Sequence, residues 1–250
     1  MMHQFFTWSA VAVWCVSALL VSRFPTGLWW WIAGGVLIDG VLIIARAQHT
    51  HPSRAYGYLP WLMGAYAALF LFMFIDRPLF RNVWLASVAV MSVVYWYRLE
   101  AWMRAPTEHE TRMSKLAAFW LAFAILASGI ALYAWQIFVE QSAWSVLFWL
   151  VAISAAATAS MWKLKIQTFV PSSFFYLMVI ALIAIELFWV IGFTTFGFAT
   201  KGLLWASGVW YSWWMAVLIQ EKEIKTRTVL KGTTLLFASW ILIFLVIRWF

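Results

Sequence analysis

Residues 174–195, Phe174-Phe175-Tyr176-Leu177-Met178-Val179-Ile180-Ala181-Leu182-Ile183-Ala184-Ile185-Glu186-Leu187-Phe188-Trp189-Val190-Ile191-Gly192-Phe193-Thr194-Thr195, carry one charged group in an otherwise apolar run. At ~1.5 Å per residue, such a run crosses the ~30 Å hydrocarbon layer of a bilayer as a helix. A membrane strand would alternate apolar and polar residues. This run does not, and a helix satisfies every backbone amide internally where no water can.

Working outward, similar runs occur near 5–22, 28–45, 59–75, 83–98, 116–137, 143–161, 203–219 and 232–249. Together with 174–195 they predict an all-α fold: a polytopic transmembrane helical bundle of about nine spans, forming a single integral membrane domain over 1–250. The run 83–98 is the shortest, and a re-entrant path there would leave eight spans. Composition agrees, because 66% of the residues are hydrophobic and 10% charged, against roughly 45–50% and about 25% in a soluble domain. The first run follows Met1-Met2-His3-Gln4, with no Lys or Arg before it. Its length exceeds that of a signal-peptide core, so it reads as a retained span.

Lys and Arg set the orientation. Twelve of the 17 fall on one side: Arg46 and Arg54; Arg98, Arg104, Arg112 and Lys115; Lys163 and Lys165; Lys222, Lys225, Arg227 and Lys231. The other five are Arg23, Arg77, Arg81, Lys201 and Arg248. Short cytoplasmic loops hold the excess of positive charge, which places the N-terminus inside and the C-terminus outside. The largest cytoplasmic segments are then Arg98 to Lys115 and Gln220 to Lys231, the latter containing a short helical extension at Glu221-Lys222-Glu223-Ile224-Lys225.

The net charge of +8 is dispersed over these loops. It points to anionic lipid headgroups as the counter-charge and excludes a nucleic-acid platform. Arg98, Arg104, Arg112 and Lys115 are the candidate headgroup contacts. Trp29-Trp30-Trp31, Tyr95-Trp96-Tyr97, Trp144, Trp162 and Trp249 fall near span ends, where aromatic rings anchor at the lipid–water boundary, and this would account for most of the 21 tryptophans. Small residues at Gly64-xxx-Ala68, Ser154-xxx-Thr158, Ala156-xxx-Ser160 and Gly208-xxx-Ser212-xxx-Ala216 predict seams of close helix packing.

Two of the nine acids lie deep in spans, Asp39 in Gly34-Gly35-Val36-Leu37-Ile38-Asp39-Gly40 and Glu186 in the opening run. A carboxylate there costs about 2.5–3.5 kcal/mol or more, so such groups ordinarily face the bundle interior or a wet cavity. Both acids are therefore expected to be buried, either in a structural hydrogen bond to another helix or as a proton or ligand site, two readings of about equal weight. They differ by roughly 6 Å in depth, which a bridging water can span if their helices are neighbours. No cation shares their spans, so the neutral, hydrogen-bond-donating form is favoured.

Other chemistry is poorly supported. The single Cys15 excludes an intramolecular disulfide and a paired-cysteine zinc site. His49-x-His51, with His3 on the same side, lacks the further ligands that a metal centre needs, so no metal is expected. No lysine falls within an expected span to form a Schiff base, which disfavours a retinal protein. Gly-rich phosphate loops, paired-histidine zinc helices and Gly-x-Ser-x-Gly elbows are missing, and no cofactor is expected. Gly34-Gly35 and Gly40 around Asp39 resemble the broken helices of transporters only faintly, and no internal repeat accompanies them.

The C-terminal third, from Pro171-Ser172-Ser173-Phe174-Phe175-Tyr176 through Glu186-Leu187-Phe188-Trp189 and Tyr211 to Arg248-Trp249-Phe250, resembles an uncharacterised family of multi-span membrane proteins from candidate-phylum bacteria with reduced genomes. The resemblance implies a bacterial inner-membrane setting and brings no activity, substrate or cofactor. Short loops and the absence of a catalytic constellation favour a lipid-, peptide- or protein-binding and assembly module of the cell membrane, with a membrane-protein partner. The alternative is a small-molecule transporter coupling proton movement to Asp39 and Glu186. An enzyme acting on lipid, with a base drawn from Glu100, Glu108, His109 or Glu110, ranks third.

Overall fold

Prolines mark where the helices start. A proline lacks the N–H that the first helical turn leaves unpaired, and its fixed φ suits that turn. Pro78, Pro106 and Pro171 open three helices, Pro60 is the second residue of a fourth, and Pro25 opens a 3₁₀ turn. A computed structural model describes residues 2–49, 56–166, 171–220 and 225–247. The helices are α1 Met2–Arg23, α2 Leu28–His49, α3 Leu59–Phe72, α4 Pro78–Arg104, α5 Pro106–Phe138, α6 Ala143–Ile166, α7 Pro171–Gly192, α8 Phe198–Gln220 and α9 Thr226–Ile247, and there is no strand among the described residues.

Each expected apolar run thus coincides with a helix. Among the described residues, six helical stretches are long and apolar enough to cross a membrane: Pro78–Arg104, Arg112–Phe138, Ala143–Trp162, Phe174–Gly192, Phe198–Gln220 and Thr226–Leu245. Three shorter apolar stretches, Trp8–Arg23, Trp30–Ala45 and Tyr56–Phe72, precede them. The run 83–98, expected to be short, lies inside a helix of 27 residues.

The expected loop from Arg98 to Lys115 is corrected. It is helical except at Ala105, where φ −134° and ψ 78° separate α4 from α5. The residue before a proline is driven out of the helical region by the ring, so Pro106 accounts for the break. Lys201, expected in a loop, lies instead in the first turn of α8. Its Nζ donates to the Gly192 carbonyl at 3.2 Å, satisfying a group left open at the end of α7. The expected helical extension is described only at Lys225, which precedes α9 and is not helical, while 221–224, the His49-x-His51 pair with His3, and Trp249 lie outside the described residues or side chains.

Contacts divide the chain into two compact units, Met1–Ala124 and Ile125–Phe250. In the first, α1 packs on α2, α3 and α4, and α3 packs on both α2 and α4. In the second, α7 lies against α6 and α8, and α9 packs on α8.

The tryptophans correct a second expectation. Trp14, Trp61, Trp96, Trp120, Trp162 and Trp205 are each at most 1% exposed. Tyr95 and Trp96 point inward, and of their triplet Tyr97 alone remains 71% exposed. Trp30 and Trp144 do lie on the surface, as anchors would.

The buried indoles pack where glycines leave space. A side chain on Gly64 would collide with Trp120, and one on Gly129 would meet Trp205 at 3.0 Å. Several indoles also pin helices together through N–H donors: Trp14 to Ala65 O at 2.9 Å, Trp84 to Ala68 O at 3.1 Å and Trp205 to Ala184 O at 3.1 Å. The expected seam at Gly64 and Ala68 is therefore real packing, but its small residues admit indoles. Backbones themselves close up where a Gly202 side chain would strike the Ile130 backbone of α5.

The hydroxyls of α6 turn back onto their own helix. Ser154 donates to Leu150 O at 2.5 Å, Thr158 to Ser154 O at 2.7 Å and Ser160 to Ala156 O at 2.8 Å.

Candidate functional site

On α2 the buried positions Gly35, Asp39 and Ile43 recur every four residues and form one stripe. Leu37, Ile38 and Val41 lie on the opposite, exposed side. This periodicity turns the Asp39 carboxyl into the first unit, where its exposure is 0%. Tyr66 of α3 donates its hydroxyl to Asp39 Oδ2 at 2.8 Å, whereas Oδ1 is buried with no hydrogen-bond partner among the described residues.

A helix turn before Asp39, Gly35 provides the room for this arrangement. A Cβ there would lie 2.5 Å from both Tyr66 Oη and Ser17 Oγ. Ser17, on α1, donates to Val13 O at 2.9 Å. Three helices consequently bring a carboxyl, a phenol and an aliphatic hydroxyl around one glycine. The site can hold a hydrogen-bonding group or a proton at Oδ1, since a carboxyl with one bonded oxygen retains unused capacity.

Sequence reasoning located Asp39 but not Tyr66 or Ser17. Their signals were weak: Tyr66 stands between the small residues of Gly64-xxx-Ala68, and Ser17 is one of four hydroxyl residues along α1. The three glycines around Asp39 do not break α2, which runs helical through them.

Glu186 is placed differently from the expectation. Ile180, Ala184, Phe188 and Ile191 form the buried stripe of α7, and Glu186 lies on the exposed side. Its helical neighbours there are Leu182, Trp189 and Val190, exposed by 57%, 36% and 64%. The expected burial is therefore corrected: α7 is apolar nearly all round, so its composition did not indicate which side would face inward. Asp39 belongs to the first unit and Glu186 to the second.

Arg98, Arg104, Arg112 and Lys115 are all exposed, on either side of the Ala105 break. Arg104 Nη2 approaches Glu100 Oε2 at 3.7 Å. Among the described residues no group of three or more His, Cys, Asp or Glu side chains is placed to hold a metal. Comparison with protein-family profiles, curated proteins and solved structures finds no match.

Proposed function

We propose that the chain is a binding and assembly module of the cell membrane, with nine spans, its N-terminus inside and its C-terminus outside. The observation that carries this reading is the outward position of Glu186. A carboxyl exposed to hydrocarbon is unfavourable by about 2.5–3.5 kcal/mol or more at mid-span, whereas a polar group against another helix gains a hydrogen bond. Glu186 therefore fits a surface that is covered when the protein works. The exposed Arg98, Arg104, Arg112 and Lys115 suit anionic headgroups at one end of the first unit. If the resemblance of the C-terminal third holds, the membrane is a bacterial inner membrane.

The test is extraction in a mild detergent or polymer that retains neighbours, followed by mass analysis of the native chain and of Glu186→Leu. Partners or lipids bound to the native chain and lost from the variant support the reading. Identical, unaccompanied chains in both samples overturn it.

A second reading rests on Asp39. A fully buried carboxyl with one oxygen unpartnered among the described residues is the kind of group on which a transporter exchanges protons, and here it would act without Glu186. Proton flux in liposomes under an imposed pH gradient, with candidate substrates present and Asp39→Asn as the comparison, tests it. Flux that does not depend on Asp39 removes this reading.

A further inference from the structure

Glu186 stands in a stripe of large apolar side chains on α7. Phe175, Met178, Leu182 and Val190 are exposed by 64%, 59%, 57% and 64%, and Phe193, in the turn just past the helix, by 85%. Glu186 is the only charged residue in the α7 sequence, and among the described residues no hydrogen bond or ion pair reaches it. A covering surface must bring a donor or acceptor to the depth of Glu186.

A second copy of the chain meets that requirement. Two copies inserted with the same topology can pair symmetrically only about an axis along the membrane normal, and such an interface sets the same patch against itself. Glu186 then meets Glu186 at equal depth. A protonated carboxyl both donates and accepts, so the residue is complementary to itself. An unrelated partner would need its own polar group at that level.

The shape of α7 agrees. Beginning one residue before Glu186, an open apolar groove of about 430 Å³ runs beside Ile185, Leu182, Ala181, Val179, Met178 and Phe175. The small Ala181 and the projecting Met178 and Leu182 place a recess and a ridge on one face. In a parallel pair, the ridge of each copy enters the recess of the other.

We propose that the outer face of α7 is the interface of a two-fold homodimer, with Glu186 of both copies hydrogen-bonded across the axis. This rests on the assembly reading above and names its partner. The interface is built as membrane helix pairs are, with apolar contact along the stripe and one polar contact at its centre.

Two measurements on the full-length protein in liposomes, at high lipid-to-protein ratio, test it. The first counts bleaching steps of singly labelled chains. The second introduces one cysteine into a Cys15→Ser chain, at Leu182 on the proposed interface or at Leu242 on the exposed side of α9, and oxidises it. The native chain is expected to bleach in two steps, and Leu182→Cys, but not Leu242→Cys, to form a covalent dimer. Glu186→Leu should weaken association by about tenfold or more, while Glu186→Gln, whose amide also donates and accepts, retains it. Because Glu186 is exposed, both variants should keep the native far-ultraviolet spectrum.

A native chain that is monomeric by both measurements overturns the proposal, as does a dimer indifferent to Glu186→Leu. If that monomer still loses a different membrane protein or a bound lipid on Glu186→Leu, the homodimer falls and the assembly reading stands. If nothing is lost, both fall.

Discussion

The hydroxyl of Tyr66 donates to Asp39 Oδ2 across 2.8 Å, joining α3 to α2 at a point where Oδ1 has no partner among the described residues. Removing the donor leaves the carboxyl wholly unsatisfied, and an unpaired buried polar group costs about 1–3 kcal/mol. Tyr66→Phe is thus expected to destabilise the protein by that amount. Replacing both residues, as Asp39→Leu with Tyr66→Phe, removes the polar group itself and should cost less than Tyr66→Phe alone. Reversible unfolding in mixed micelles of the two single variants and the double variant measures the coupling.

Gly35 carries the clearest steric constraint in this region. Gly35→Ala would drive a methyl group into Tyr66 Oη and Ser17 Oγ, each 2.5 Å away, and should cost about 1–3 kcal/mol through forced repacking. Gly34→Ala and Gly40→Ala meet nothing within 4 Å. They should leave stability unchanged or raise it by about 0.5–1 kcal/mol, because alanine is the better helix former. Thermal unfolding of the three variants separates these outcomes, and equal effects at all three positions would contradict the packing described.

In the second unit the corresponding point is Gly202, whose substitution by alanine meets the backbone of Ile130 and not a side chain that can turn away. Gly202→Ala is expected to destabilise this crossing by about 1–3 kcal/mol or more. Thermal unfolding of the variant beside the native chain measures the cost. Native stability in Gly202→Ala would rule out the close approach.

Orientation can be read with two single cysteines in a Cys15→Ser chain. Arg77 and Arg104 lie at opposite ends of the α4 region and both are exposed. A maleimide that cannot cross the membrane should label Arg77→Cys on intact cells, and Arg104→Cys only after the membrane is opened. The reverse pattern would invert the topology inferred from Lys and Arg.

The helices were legible because the physics that selects them is local. A long apolar run in lipid has few conformations available other than a helix, and proline placement refined the starts. Which way each helix faces was less legible. Successive residues on a helix turn by about 100°, so Tyr95 and Trp96 enter the core while Tyr97 leaves it, although all three look like interface anchors in the sequence. The same ambiguity concealed the exposure of Glu186, since α7 has no polar side to mark its outward face. At Asp39 the glycines hinted at a close approach, but Tyr66 arrives from another helix, and that pairing is set by tertiary packing.

The hydroxyls of α6 carry one more consequence. Ser154, Thr158 and Ser160 each spend their proton on a carbonyl of the preceding turn, leaving none to bolt α6 onto α7. For these three positions the joint behaves as a bearing, its register set by the shapes in contact, and a small rotation of α6 would break none of their hydrogen bonds.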